Sequence, residues 1–292
     1  MRIDLAPGRY IAAVSGGVDS MVLLDLLSNL PKVEIIVAHF DHGIRPDSRK
    51  DESFVKGATD KYGFAFESAR ASLGPAASEE TARHARYDFL NGLRTKYRAT
   101  AVITAHHQDD LIETALINLL RGTGRRGLYA ISANSKVTRP LLGYPKQEIK
   151  DFAENRGIEW REDPTNADEN YLRNYVRVNL VPKLTVAQRR QIISDLDKVA
   201  KIDGVIQQEL QDMEAELISD GELVRSRFAA LPPEVGNEIL LRHFRALGVA
   251  DIDRRTINRI NAGIRTGGHN RTIPVKDGLR LKLTSKTARF DR

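Results

Sequence analysis

The sequence predicts an α/β protein: a Rossmann-like parallel sheet with helices on both faces, followed by a smaller, mainly helical C-terminal region. Three observations predict it. Short apolar runs alternate with amphipathic stretches through the first half of the chain. A glycine-rich loop joins the first such run to the first helix. Beyond Pro182 a long polar helical stretch follows without strand signals.

Taken in order, residues 10–14 form the first expected strand and 20–30 the helix after it. The β-branched run 33–39 is a second strand, 51–62 a helix and 64–68 a third strand. Residues 78–97 are helical, with Ser78 placed to cap the N-terminus. Residues 101–105 make a fourth strand, 109–120 a helix and 137–142 a fifth strand. Ligands of such sheets bind beyond the C-terminal strand ends, near the switch in strand order. The segment 182–185 marks a boundary, dividing the chain into 1–184 and 185–292. Within the second part, 186–217 is one long helix and Leu231-Pro232-Pro233 breaks the chain before a helix at 234–247. The alternation Leu279-Arg280-Leu281-Lys282-Leu283 suggests a small hairpin.

The 292 residues include no cysteine, which excludes disulfides, thiolate zinc sites, iron–sulfur clusters and cysteine nucleophiles within the chain. No apolar run approaches the roughly 18 residues of a membrane helix. The polar stretch 1–8 has no signal-peptide layout, so a cytoplasmic location with no membrane partner is expected. The formal net charge is +6, and between Arg254 and Arg292 the only acids among many Arg and Lys are Asp277 and Asp291. Concentrated positive charge is a footprint for nucleic acid, although a solvated surface has the same composition.

The strongest motif is Ser15-Gly16-Gly17-Val18-Asp19-Ser20, set between a strand and a helix. Its glycines let the backbone approach an anion, Ser15 and Ser20 add hydroxyl donors, and the helix start supplies free N–H groups. The loop lacks the Lys-Ser/Thr ending of a Walker loop and does not match the dinucleotide fingerprint. A glycine turn capped by Asp19 is the plain alternative; the strand–loop–helix setting favours a phosphate cradle. A second cluster is His106-His107-Gln108-Asp109-Asp110-Leu111-Ile112-Glu113. Asp110 and Glu113 are three apart and share a helix face at the mouth of the sheet. Helix-dipole complementation accounts for acids there at about 0.3–1 kcal/mol each. It does not account for their company of His106, His107 and Asp109. The spacing is not a zinc pattern, and no thiolates exist to complete one.

Ser15 to Ser20 resembles the PP-loop of the N-type ATP pyrophosphatases. Further segments narrow the resemblance to the tRNA(Ile)-lysidine synthetase family. They are His39-Phe40-Asp41-His42-Gly43-Ile44-Arg45, Ala82-Arg83-His84-Ala85-Arg86-Tyr87, and Ala105 to Thr114 running on to Leu120-Arg121-Gly122-Thr123-Gly124. Arg139-Pro140-Leu141-Leu142, Glu162-Asp163-Pro164-Thr165-Asn166 and Tyr171-Leu172-Arg173-Asn174-Tyr175-Val176-Arg177 complete the set, in the family's order. Leu111 departs from the family, which usually has a polar residue there. The C-terminal region resembles it only loosely and is shorter than in longer members.

The resemblance implies a PP-loop ATP pyrophosphatase fold in 1–184, with ATP bound by Ser15, Gly16, Gly17, Val18, Asp19 and Ser20. It implies that free L-lysine is joined to carbon 2 of the wobble cytidine of tRNA(Ile), through an adenylated tRNA, with AMP and diphosphate released. Arg86, Asp110 and Glu113 are implied in lysine handling and, with Asp19, in catalysis. Asp41, His42, Arg45, His106, Asp109, Arg121, Arg173, Asn174 and Arg177 become candidates for contacts with ATP or tRNA. Mg²⁺ would travel with ATP, Asp19 being the candidate protein ligand. Region 185–292 is expected to bind tRNA on its charge. The oligomeric state, a homodimer included, is left open. A tRNA thiolase of the same fold is disfavoured by the lack of cysteine, and a ligase of small metabolites by the basic C-terminal region and the segment from Arg173 to Arg177. A non-catalytic RNA-binding protein is disfavoured by the intact cradle and acidic cluster.

Overall fold

The apolar runs of the first half become strands whose two faces are both covered, as parallel sheets require. In the computed structural model, β1 (Gly8–Ala13), β2 (Val33–Asp41), β3 (Ala65–Arg70), β4 (Ala101–Ile103) and β5 (Val137–Thr138) form one parallel sheet in the order β3-β2-β1-β4-β5. The structure describes all residues except 44–47, 72–78, 132–135, 162–171, 220–221, 250–251 and 292. Ser78, Arg45 and the segment 162–166 therefore lie outside the described residues.

Alternate strand residues feed two cores, the consequence of a period of two. Tyr10, Ala12, Ile35, Val37 and Ile103 pack with Leu23 and Leu27 of α1 (Val18–Ser28), Val55 of α2 (Ser48–Tyr62) and Ile149 of α6 (Lys146–Arg156). Ile11, Ile36, Ala38 and Val102 pack on the other face against Leu90 and Leu93 of α3 (Glu79–Lys96). Leu23, Ile36 and Leu90 are essentially inaccessible, so truncating any one to alanine would cost about 2–5 kcal/mol. α1 is apolar almost all round. Its one deeply buried acid, Asp25, is paired with Arg156 at 3.2 Å and accepts a bond from the Tyr62 hydroxyl at 3.1 Å.

Beyond β4 come α4 (Gln108–Leu120) and the short α5 (Arg125–Leu128). After α6 come α7 (Leu172–Tyr175), a π-helical turn (Val176–Leu180), a 3-10 turn (Val181–Lys183) and α8 (Val186–Leu217). The fifth strand is shorter than the expected 137–142. Pro140 has no N–H to donate to a ladder, and the chain turns there, with Leu142 N–H bonding Arg139 O and Tyr144 N–H bonding Leu141 O.

The chain divides into two compact units, Met1–Ala200 and Lys201–Arg292. The second holds the end of α8, then α9 (Arg225–Ala230), α10 (Pro233–Ala246) and α11 (Arg254–Thr266). Here the expectation of a helical region with one hairpin needs correction. β6 (Ile218–Ser219), β7 (Glu222–Val224), β8 (Arg271–Pro274), β9 (Arg280–Leu283) and β10 (Thr287–Asp291) form an antiparallel sheet in the order β6-β7-β10-β9-β8. Its inner side chains, Ile273, Leu281, Leu283 and Ala288, join Phe228, Phe244, Ile260 and Ile264 in a second core. α11 is a further element beyond those expected. Its N-terminus is capped by Asp253, whose carboxylate accepts from Thr256 N–H at 2.8 Å, and Ile257, Ile260 and Ile264 make its buried stripe. Among the described residues, no helix is long and apolar enough to cross a membrane.

Candidate active site

The strand order reverses at β1, so β1 and β4 are neighbours although 101 follows 13 by a long excursion. The loops leaving their C-terminal ends are Val14–Gly17 and Thr104–His107. This register brings the glycine loop and the acidic cluster to one mouth of the sheet, the crevice where ligands of such folds bind.

The glycine loop is shaped from within. Gly16 has φ +95°, a conformation that L side chains rarely adopt, and a Cβ there would meet Val55 Cγ2 at 3.3 Å. The buried Ser20 hydroxyl accepts from Ser15 N–H at 3.2 Å and Gly16 N–H at 3.1 Å, and donates to Gly17 O at 2.9 Å. Ser20 is thus a brace for the loop, and its proton is spent on Gly17 rather than offered as a ligand donor. Gly17 caps α1 without any side-chain bond. The first N–H groups of α1, on Val18, Asp19 and Ser20, therefore stay available with the dipole behind them, an anion cradle.

Asp19 stands at this helix start, and both its oxygens lie 2.6 Å from Lys146 Nζ. His107 Nε2 is 3.7 Å away. Lys146 is the first residue of α6 and is not among the residues that sequence reasoning selects. A cation in the first turn of a helix opposes the dipole, which is the signal that could have marked it. Asp109 fixes this neighbourhood. It accepts from Lys146 N–H at 3.3 Å and from Arg189 of α8 at 2.9 Å, so it acts as a tie between elements.

Asp110 and Glu113 share the buried face of α4, as their spacing predicts. Asp110 accepts from His107 N–H at 2.9 Å, the reach-back bond of a capping box. Burial opposes its ionisation, but His107, His106, that N–H and Arg177 outweigh burial and hold its pKa below the usual carboxylate value. Glu113 is 1% exposed. Burial raises its pKa, against the lowering effect of Arg177, which donates from Nε at 2.9 Å and Nη2 at 3.1 Å. Arg177 Nη2 is 3.5 Å from Asp110, and Arg173 Nε is 3.7 Å from Glu113. Arg177 lies in the π-helical turn, a local distortion common at functional sites.

His106 Nδ1 meets the Thr104 hydroxyl at 2.8 Å. Burial first, and then Arg139, Arg86 and Arg83 against the pull of Asp110, lower its pKa to about 4. Arg86 thus belongs to a cationic wall of the site. With Arg83 it flanks the Tyr87 ring, at 5.5 and 5.0 Å. The wall residues Arg83 and Arg139 stand within the sequence motifs but are not among the expected site residues.

Other candidates fall differently. Asp41 is buried, accepts from Gly43 N–H at 2.7 Å and pairs with Arg70 at 3.3 Å, so it shapes the turn after β2. His42 packs edge-on to Phe40, centroids 5.0 Å apart. Arg121 caps the far end of α4 and is exposed; a 13-residue helix puts it roughly 20 Å from the acids at the helix start. Asn174 lies on α7 between Arg173 and Arg177.

A lone hard carboxylate at a phosphate cradle suits Mg²⁺ carried on phosphate oxygens. Among the described residues, no cluster of three or more His, Asp or Glu is suited to hold a metal by itself.

Comparison with known proteins places these features. A PP-loop domain family matches residues 4–184. A tRNA(Ile)-lysidine synthase of Chlorobaculum tepidum is 31% identical over 299 residues, covering 96% of this chain and 90% of that protein. One of Thermus thermophilus is 35% identical over 241 residues, covering 79% of this chain and 46% of that protein. Against that and several other curated relatives, the chain spans about half the relative's length. Among solved structures, a U34-tRNA thiolase of Methanococcus maripaludis, solved with its [4Fe-4S] cluster, shares the fold at TM-score 0.55 and 16% identity, covering 68% of this chain and 74% of that one. The domain match together with the near full-length relative shows that the chain belongs to the tRNA(Ile)-lysidine synthase family of PP-loop proteins.

Proposed function

We propose that the chain joins free L-lysine to carbon 2 of the wobble cytidine of tRNA(Ile), using ATP and releasing AMP and diphosphate. The observation that carries the reading is the meeting, at one switch point, of an open anion cradle and a pair of acids whose pKa values are pushed apart. Substrates and partners are thus tRNA(Ile), lysine and ATP with Mg²⁺, which places the work in the cytoplasm. We assign adenylation to residues 1–184 and tRNA contact to the basic region 185–292.

The chemistry divides into two steps. The oxygen on carbon 2 of cytosine is a poor leaving group. Its attack on the α-phosphate converts it into an AMP ester, which leaves readily. The amides of Val18, Asp19 and Ser20 face the departing diphosphate. Mg²⁺, held by Asp19 and the phosphates, would offset the charge that develops on phosphate oxygens.

The lysine ε-amine then attacks carbon 2, for which it must be neutral. At pH 7 that costs roughly 4.6 kcal/mol, given the ordinary lysine pKa of about 10.4. Asp110, the readily ionised acid, suits the role of ionic partner to the ammonium. Glu113, its proton affinity raised by burial, suits the role of proton acceptor. Arg177 holds the two acids in register, and Arg86 lines the adjoining wall.

The lack of cysteine supports this reading over a thiolase of the same fold. Single-turnover release of diphosphate, with tRNA(Ile), lysine and ATP each omitted in turn, tests it. Lysine incorporation that needs all three, with diphosphate release that needs only tRNA and ATP, is expected. Release independent of tRNA would point instead to a ligase of small metabolites.

A further inference from the structure

We propose that Lys146 is the side chain that grips the diphosphate end of ATP, and that its pairing with Asp19 is the resting position of that grip. The inference rests on reading residues 15–20 as an ATP cradle. A Walker loop carries its own lysine to the phosphates, and this loop has none. The nearest arginine on the acidic helix, Arg177, is committed to Glu113. The ammonium that does reach the cradle comes from another element, 127 residues away in sequence.

Its placement is built. Lys146 opens α6, where a cation meets the unfavourable end of the helix dipole. Its backbone is fixed on the acidic loop, since its N–H bonds Asp109 and Gln108 N–H bonds Tyr144 O at 3.0 Å. The rigid anchor contrasts with the side chain, which is 40% exposed at the cradle mouth and flexible along four carbons. Asp19 satisfies the ammonium while the cradle is free of phosphate. When Asp19 turns to a phosphate-borne cation, the ammonium loses its partner next to the incoming β- and γ-phosphates. A point charge is the lysine mode of phosphate binding.

A static ion pair that merely pins α6 to α1 is the competing account. Inorganic diphosphate and AMP, each with Mg²⁺, separate the two when titrated calorimetrically into the full chain and into Lys146→Met and Lys146→Arg. Lys146→Met should weaken diphosphate binding at least tenfold and leave AMP within twofold, and Lys146→Arg should restore most of the loss. Unchanged diphosphate binding by a folded Lys146→Met overturns the proposal. So does a parallel loss of both ligands, the mark of a distorted cradle. If the unaltered chain binds neither ligand, the ATP-cradle reading fails and takes this assignment with it. If it binds both and Lys146→Met binds diphosphate equally well, only the assignment of Lys146 fails.

Discussion

Arg177 clamps Glu113 end-on, donating from Nε at 2.9 Å and from Nη2 at 3.1 Å to a carboxylate that is 1% exposed. Such a pair is costly to break from one side, because the surviving charge stays buried. Arg177→Ala should destabilise the protein by roughly 2–4 kcal/mol, part of the loss being softened because Arg177 itself is half-exposed. Adding Glu113→Gln should recover much of that loss, a coupling that non-interacting sites would not show. Urea unfolding of the four members of this cycle measures it. Additive losses would mean that the two side chains do not meet in solution.

His106 carries a pH signature. Its folded pKa, about 4, lies below its unfolded value near 6.5, so the unfolded chain binds more protons between them. The stability it contributes is fully present above pH 6.5 and is lost as pH falls toward 4. At pH 5 the loss amounts to at most about 2 kcal/mol. His106→Asn should therefore flatten the fall in thermal midpoint between pH 7 and pH 5 relative to the unaltered chain. Identical slopes would place His106 in open solvent rather than among Arg83, Arg86 and Arg139.

How much of this was legible in the sequence depends on the range of the interaction. The cradle could be read because strand, glycines and helix are contiguous, and Asp110 with Glu113 because helix spacing alone puts them on one face. α8 runs over the expected residues, since 32 helical positions leave a long periodic trace. The partners were not legible. Lys146 lies 127 residues from Asp19 and Arg177 lies 64 from Glu113, and no local pattern encodes such meetings. β6 and β7 have two and three residues, too few to alternate. The bracing role of Ser20 was hidden because a hydroxyl in a glycine loop looks the same in sequence whether it faces a ligand or bonds its own backbone.

The second unit separates structural from available cations. Arg225 donates to the carbonyls of Ile264, Thr284 and Gly267, and Arg265 donates to Asn261 and Ala229 O, so both are spent on the fold. Arg254, Arg271, Arg280 and Lys286 are exposed. If these meet tRNA phosphates, changing all four to glutamine should reduce the log–log slope of affinity against salt by about 0.7–0.9 per lost contact. Arg225→Gln should instead lower stability with the slope unchanged in the protein that remains folded. Filter binding across a salt series checks both, and an unchanged slope in the fourfold variant would move the footprint elsewhere.

The division of labour between the acids and the cradle gives the sharpest test. If Asp110 and Glu113 serve the amine, Asp110→Asn and Glu113→Gln should lose lysine transfer by at least a hundredfold while AMP transfer falls far less. The amides keep shape and some hydrogen bonding, but they cannot pair ionically with an ammonium or take its proton effectively. An adenylated tRNA should then accumulate in a single turnover. Raising the pH should partly rescue both variants, because a larger share of lysine is already neutral, about tenfold more per pH unit below its pKa. Rescue should be stronger for Glu113→Gln, in which only the acceptor is missing, than for Asp110→Asn, in which the ammonium has lost its partner. The rival account assigns this face of α4 to ATP or its metal. It predicts early failure, with no intermediate and no rescue. Diphosphate release and lysine incorporation, measured side by side from pH 7 to 9, decide between them. A fall in both by one factor at every pH would assign the acids to adenylation and leave the amine without a base in this site.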